Sequence, residues 1–444
     1  MEETGAIDDN DANGRQGMST GAAYKVRREA LAPDALMAEA AAATGLSDFG
    51  GTAFVAPLSR FMERAAREIE FRPGRINAFR AEILRHLINR LRFADDLRRH
   101  PEILDEDVTD PIVITGLPRT GTTKLQRMLS AAPNVQKLYL WRMLNPAPFP
   151  GAAKGRRDPR MTSALGGEGV GSETTQEHRQ LRAAHELALT QVDEEVFLFD
   201  FTLDQSICGA SAAYLPLFFH LDWLDGARER QADREGYLYL RTLLQYLQWQ
   251  DGGKRNRPWI MKLVSHMAHF DALLEYFPKA TIAQTHRDPC LTVPSISKLM
   301  FELWSINAVV NKEPVGNGFL QWSAAAMNRC IEARDRMQLD ARILDIPYAT
   351  IRDDIMPSIR EIYRRNGREL TVEAEQAMRE WERDNEQGKH GQHSYSLAEF
   401  GLDETQVAKA FAEYTRRFSS LFQPQPSLSA TTESKKSNIQ TVRE

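Results

Sequence analysis

Residues 112–129 read IVITGLPRTGTTKLQRML, a β-branched apolar run that breaks into a glycine turn and continues as a helical pattern. A strand feeding a tight glycine turn into a helix start gathers backbone N–H groups and the positive helix end at one point, which makes an anion site. The spacing Gly116-x4-Gly121-Thr122-Thr123 follows a Walker A phosphate loop, with Thr122 where the lysine belongs. That lysine neutralises the β- and γ-phosphates of a nucleoside triphosphate. Its absence argues against an ATPase or kinase and for a nucleotide with another charge layout.

A second anion signal lies in TIAQTHRDPCLTVPSISKL, residues 281–299. A strand ends at Thr285, a turn carries Arg287, and Ser295 follows on the next helix. An arginine fork and a serine hydroxyl suit a phosphate dianion. A surface pairing of Arg287 with Asp288 is the plainer alternative, which the nearby glycine loop makes less attractive. Two phosphate sites at neighbouring strand ends suit a nucleotide phosphorylated at both its 5′ and 3′ positions.

The third constellation is Lys262-Leu-Val-Ser-His266 at the end of the run Trp259–Val264. Lysine there would bind an anionic group. His266, with an ordinary pKa of about 6.5, would deprotonate a hydroxyl at neutral pH. A helix-capping role for His266 is the competing reading. Asp193-Glu194-Glu195 precedes the apolar run 196–201 and reads as an acidic helix start; Glu194 or Glu195 is a second candidate base, ranked below His266. The cationic, aromatic loop 388–395 offers Lys389, His393 and Tyr395. Aromatic residues of 214–223, with Trp141 and Phe149, would wall an apolar pocket or simply fill a core.

The elements that position these residues alternate. Strands are expected at 112–115, 259–264, 281–285 and 342–346, each followed by a helical pattern. That order predicts a P-loop-like α/β fold, a central parallel sheet flanked by helices, with ligands outside the carboxyl ends of the strands. Residues 21–108 read as a helical N-terminal region, 109–423 as the catalytic domain, and 150–255 as a helical insertion over the site. Residues 1–20 and 424–444 read as disordered tails. The basic run Arg85–Arg99 reads as an exposed helix face.

Composition narrows the rest. The chain has 444 residues, 42% of them hydrophobic, and a formal net charge of −5 with pI near 6.1, so bulk charge supplies no pull toward nucleic acid or anionic membrane. Cys208, Cys290 and Cys330 are scattered, which suggests neither zinc nor a disulfide framework. No secretory leader or membrane-spanning stretch is expected, and a reducing cytoplasm fits.

The stretches GLPRTGTTKLQRML, WIMKLVSHMAHFDALLEYFPKATIAQTHRDP, RDPCLTVPS, ILDIPYATIRDDI and HSYSLAEFGLDETQVAKAFAEYTRRF, in that order, resemble PAPS-dependent sulfotransferases of the bacterial family often labelled sulfotransferase family 3. PAPS is the 3′-phosphoadenosine 5′-phosphosulfate donor. The resemblance spans roughly residues 45–420. It implies that Arg119, Thr120, Gly121, Thr122, Thr123 and Lys124 wrap the 5′-phosphosulfate. Arg287 and Ser295 match the 3′-phosphate pair. Arg119 replaces the lysine of animal cytosolic enzymes, and as a poor proton donor it takes an electrostatic role only. The family's Lys-Ser-Pro-x-His survives here as Lys262 and His266, with Leu-Val for Ser-Pro. The Arg-Lys-Gly clamp of animal enzymes is missing, with Lys389 as a substitute and His393 and Tyr395 matching a His-x-Tyr pattern.

The implied reaction is sulfonyl transfer from PAPS to a small-molecule hydroxyl, releasing adenosine 3′,5′-bisphosphate, with no metal. The rivals are a P-loop kinase or NTPase with a degenerate Walker A loop, and an inactive nucleotide-binding protein. The sequence leaves the acceptor and the oligomeric state open.

Overall fold

The run Ile112–Gly116 (β1) lies inside a four-stranded parallel sheet of order β2-β1-β3-β4, with β2 at Ile260–Lys262, β3 at Thr281–His286 and β4 at Ile343–Pro347. The computed structural model describes residues 25–151, 158–163, 188–203, 227–253, 256–385 and 395–422. All four expected strands are present, and the α/β architecture is as the alternation predicts. Each is followed by helix or turn: Thr122–Ala131 after β1, Phe270–Tyr276 after β2, Pro289–Asn307 after β3, and Met356–Arg365 beyond β4. Alternate residues serve opposite faces, as a pleated strand requires. Val113, Met261 and Ile282 enter one core, while Ile114, Ile260 and Ala283 enter the other.

The second strand is shorter than its sequence run because Thr115 ends it. The Thr115 hydroxyl bonds the carbonyls of Leu263 and Val264 at 3.0 and 3.1 Å and accepts the Met267 N–H at 3.0 Å, which folds Val264–Ala268 into a 3₁₀ turn. The element carrying His266 is therefore tied to the residue just before the glycine turn.

Helices Pro33–Thr44, Val55–Glu68 and Arg75–Arg99 precede the sheet. Helix Val55–Glu68 buries Leu58, Phe61, Met62 and Ala65 in a 3-4 spaced stripe. Helix Arg75–Arg99 corrects one expectation: its basic run is not wholly a solvated face. Arg90 is buried, donating to the Phe49 and Phe201 carbonyls at 2.9 and 2.8 Å beneath the Phe54 and Tyr239 rings. Arg85 donates to the Leu144 carbonyl. Only the last turn, Arg98 and Arg99, is exposed.

In the insertion, helix Ala227–Gln250 runs back toward the sheet, and a short helix Val196–Phe199 starts directly after Glu195. The stretch 214–223 and the expected tails 1–20 and 424–444 lie outside the described residues.

Candidate active site

The turn after β1 is built so that side chains stay out of it. Gly116 has φ 132°, and a Cβ there would press on the Thr285 carbonyl and sit 2.8 Å from the Thr285 hydroxyl. Arg119 (φ 65°) and Gly121 (φ 90°) are also left-handed. Turn residues of this hand gather backbone N–H groups into an anion-binding concavity. The Thr120 hydroxyl fixes the turn, lying 2.6 Å from the Leu117 carbonyl and 2.5 Å from the Thr285 hydroxyl. Among the described residues no side chain caps the start of helix Thr122–Ala131, so its dipole end faces the turn.

The neighbouring strand brings the second basic residue to the same place. Asp288 caps helix Pro289–Asn307 by accepting the Cys290 N–H at 2.8 Å, with proline at its first position. This start sets Arg287 just outside the helix and Ser295 within it. Arg287 Nη1 donates to the Arg119 carbonyl at 2.9 Å, and Arg119 Nε donates to the Ser295 hydroxyl at 3.1 Å. The Arg287 guanidinium lies 4.1 Å from the centre of the Tyr348 ring, and its buried Nε has no partner among the described residues. Burial lowers the Arg119 pKa from its ordinary value; the phenols of Tyr395 and Tyr348 oppose that shift and Arg287 reinforces it. The two guanidinium groups are thus linked through the Arg119 main chain and Ser295.

At β2 the acids and bases pair. Residue 262 sits on the sheet edge, where its outward N–H lacks a strand partner; Glu195 Oε2 accepts it at 2.8 Å. The other Glu195 oxygen lies 2.5 Å from His266 Nε2, and His266 Nδ1 lies 2.7 Å from the Tyr237 hydroxyl. Glu195 and His266 are fully buried. The Lys262 ammonium pairs with Glu194, whose side chain is 20% exposed. Of the three expected proton acceptors, only Glu194 faces solvent. The acidic segment is also tied to the glycine turn, since Gln126 of helix Thr122–Ala131 donates to the Asp193 carbonyl at 2.8 Å.

The structure thus gathers Arg119, Thr120, Gly121, Thr122, Thr123, Arg287 and Ser295 at one strand edge, with Lys262, Glu194, Glu195 and His266 beside them. Lys124 points elsewhere: its ammonium is held by Glu382 at 2.8 Å and the Ile351 carbonyl at 2.9 Å. Lys389 and His393 lie outside the described residues; Tyr395 lies within them, near Arg119. His269 is held by buried Asp233 at 2.9 Å, and the buried His286 by the half-buried Asp345 at 2.8 Å. The Trp141 and Phe149 rings are faced by the Arg160 and Arg92 guanidinium groups at 4.9 and 5.8 Å.

Two site residues are not marked in the sequence as read above. Tyr348 follows β4 directly, a strand-end position that the rule for parallel sheets would have flagged. Tyr237 lies on a helix distant in sequence from His266, and only folding brings them together.

A glycine turn and a charged polar cluster lie together at the strand ends of a parallel α/β sheet, the edge at which such folds bind ligands. The model of the sulfotransferase family matches residues 111–372, more than half of the chain, and the chain belongs to that family. Its fold is similar to that of sulfotransferase STF9 from Mycobacterium avium, with TM-score 0.71, 26% identity, and coverage of 87% of this chain and 96% of that one. It is likewise similar to sulfotransferase STF1 from Mycobacterium tuberculosis H37Rv, with TM-score 0.66, 26% identity, and coverage of 86% and 98%. No curated protein sequence matches the chain. Among the described residues no helix is long and apolar enough to cross a membrane.

Proposed function

We propose that the protein transfers the sulfonyl group of PAPS to a hydroxyl of a small molecule and releases adenosine 3′,5′-bisphosphate. The observation that carries this reading is the contact of the two cradles. Arg287 bonds the glycine turn through the Arg119 carbonyl, and Arg119 bonds Ser295, so one nucleotide with phosphates at both ends would displace these mutual contacts and engage all three. The partnerless Arg287 Nε adds a buried donor that such a ligand would satisfy. A kinase reading needs a lysine on the β- and γ-phosphates, whereas Lys124 is held by Glu382.

The turn's N–H groups, with Thr122 and Thr123, would hold the 5′-phosphosulfate, and Arg119 would offset charge building on the departing phosphate. The acceptor oxygen attacks sulfur; an O–S bond forms, the bridging S–O bond to phosphate breaks, and the hydroxyl proton leaves for a carboxylate. Glu194 takes that proton in this reading, because both His266 nitrogens are already engaged and Glu195 is buried. Lys262, paired with Glu194 in the unliganded molecule, would turn to the transferring sulfonate. Fixed charge and alignment supply most of the acceleration.

Differential calorimetry with adenosine 3′,5′-bisphosphate against magnesium ATP tests the reading. The bisphosphate should stabilise the protein by about 2.7 kcal/mol at a hundredfold excess over Kd. Preferential stabilisation by magnesium ATP would overturn it.

A further inference from the structure

Helix Ala227–Gln250 of the insertion grips the turn after β2 at two points one helical turn apart. Asp233 holds His269, and Tyr237, four residues on, holds His266. From Tyr237 a chain of buried hydrogen bonds runs to the site. The Tyr237 hydroxyl meets His266 Nδ1 at 2.7 Å, His266 Nε2 meets Glu195 Oε1 at 2.5 Å, and Glu195 Oε2 receives the Lys262 N–H at 2.8 Å. The next residue along, Glu194, holds the Lys262 ammonium. Residues 194 and 195 therefore hold Lys262 by its two ends.

The direction of this chain follows from its members. Burial pushes the Tyr237 phenol well above its ordinary range, with Asp233 and Glu195 adding to the effect, so the hydroxyl keeps its proton and donates. His266 Nδ1 then accepts, and Nε2–H donates to the Glu195 carboxylate. An imidazole engaged at both nitrogens in this way has no lone pair left for an acceptor hydroxyl. The groups packed against it are Tyr237, Glu195 and the Phe199 ring.

We propose that Tyr237, acting through His266 and Glu195, is a positioning residue that fixes Lys262 and Glu194 for sulfonyl transfer, with His266 a strut in that chain. The inference rests on the proposed transfer reaction. It accounts for why a lysine on a three-residue edge strand keeps one geometry: an edge N–H is otherwise paired only by water, and Glu195 pairs it from within the protein.

The distinguishing variant is His266→Gln. Glutamine offers a donating amide N–H and an accepting carbonyl where the imidazole offers Nε2–H and Nδ1, but cannot act as a base at neutral pH. With PAPS as donor and 4-nitrophenol or a long-chain primary alcohol as acceptor probes, His266→Gln should keep kcat within about tenfold of wild type, while His266→Ala loses at least a hundredfold. Tyr237→Phe should lower kcat about fivefold to twentyfold, with Kd for adenosine 3′,5′-bisphosphate unchanged. Nitrogen-15 NMR of labelled histidine reads the same relay whatever the acceptor. It should show His266 with a proton on Nε2 and an accepting Nδ1, and the Nδ1 resonance should move in Tyr237→Phe.

A glutamine variant as inactive as the alanine one, wild-type kcat in Tyr237→Phe, or a proton resident on Nδ1 would each sink the relay while leaving the reaction standing. Failure of the wild type to bind adenosine 3′,5′-bisphosphate would instead remove the reaction and this role with it.

Discussion

Arg287 and Arg119 are joined through the main chain: the Arg287 guanidinium donates to the Arg119 carbonyl at 2.9 Å, across the gap between β1 and β3. Two cations brought this close repel one another, and the Tyr348 ring against Arg287 offsets that only in part. An anion between them would relieve the repulsion. That is the physical basis for assigning both to one ligand.

Removing that guanidinium should weaken the nucleotide more than any other single change. Arg287→Ala is expected to cost roughly 2–4 kcal/mol of charge-assisted hydrogen bonding to adenosine 3′,5′-bisphosphate, or about 30-fold to 1,000-fold in Kd. Titration calorimetry measures it directly. Unchanged affinity would detach residue 287 from the nucleotide site.

The turn itself should tolerate no side chain at its first glycine. At Gly116 a Cβ would meet both the hydroxyl and the carbonyl of Thr285, at a φ that L residues avoid. Gly116→Ala should destabilise the fold by about 2–4 kcal/mol and lower the melting temperature accordingly. A melting curve matching wild type would mean that β1 and β3 part more readily than their pairing suggests.

Proton removal from the acceptor is expected at Glu194, the one carboxylate of the cluster that reaches solvent. Glu194→Gln should reduce kcat by about 10²–10⁴ and leave bisphosphate affinity intact. An active Glu194→Gln enzyme would return the base role to Glu195 or His266.

Much of this arrangement is legible in the sequence, and what is not follows a pattern. The β-branched runs and the glycine turn are local signals, and each appears where its chemistry predicts. His266 shows where such reading stops: its partners Glu195 and Tyr237 lie 71 and 29 residues away, so nothing local reveals that both nitrogens are engaged. The arginines of helix Arg75–Arg99 teach the same lesson, since carbonyls of distant segments decide that Arg90 turns inward. Helix Lys312–Arg336 is obscured differently, by Pro314 and Gly316 in its first turns. Proline costs little there, and Gly316 lets the helix approach the Phe400 backbone.

Acid should destabilise the fold in two stages. His86 and His286 are buried, and burial depresses both imidazoles, with Arg85 adding to the effect at His86 and Asp345 opposing it at His286. A depressed histidine binds fewer protons folded than unfolded, so stability is full at neutral pH and falls as pH drops below the unfolded value of about 6.5. Asp345 follows at lower pH. Burial alone would raise its pKa, but Arg334 and His286 outweigh that and hold it at about 2, so its contribution is lost as pH falls from about 4 toward that value. Urea unfolding should therefore be nearly flat from about pH 7 to 8 and lose about 1–3 kcal/mol per pH unit between about 6 and 5. His86→Gln should flatten that slope. A wild-type curve with no loss between pH 7 and 5 would show that these imidazoles take up no proton on unfolding.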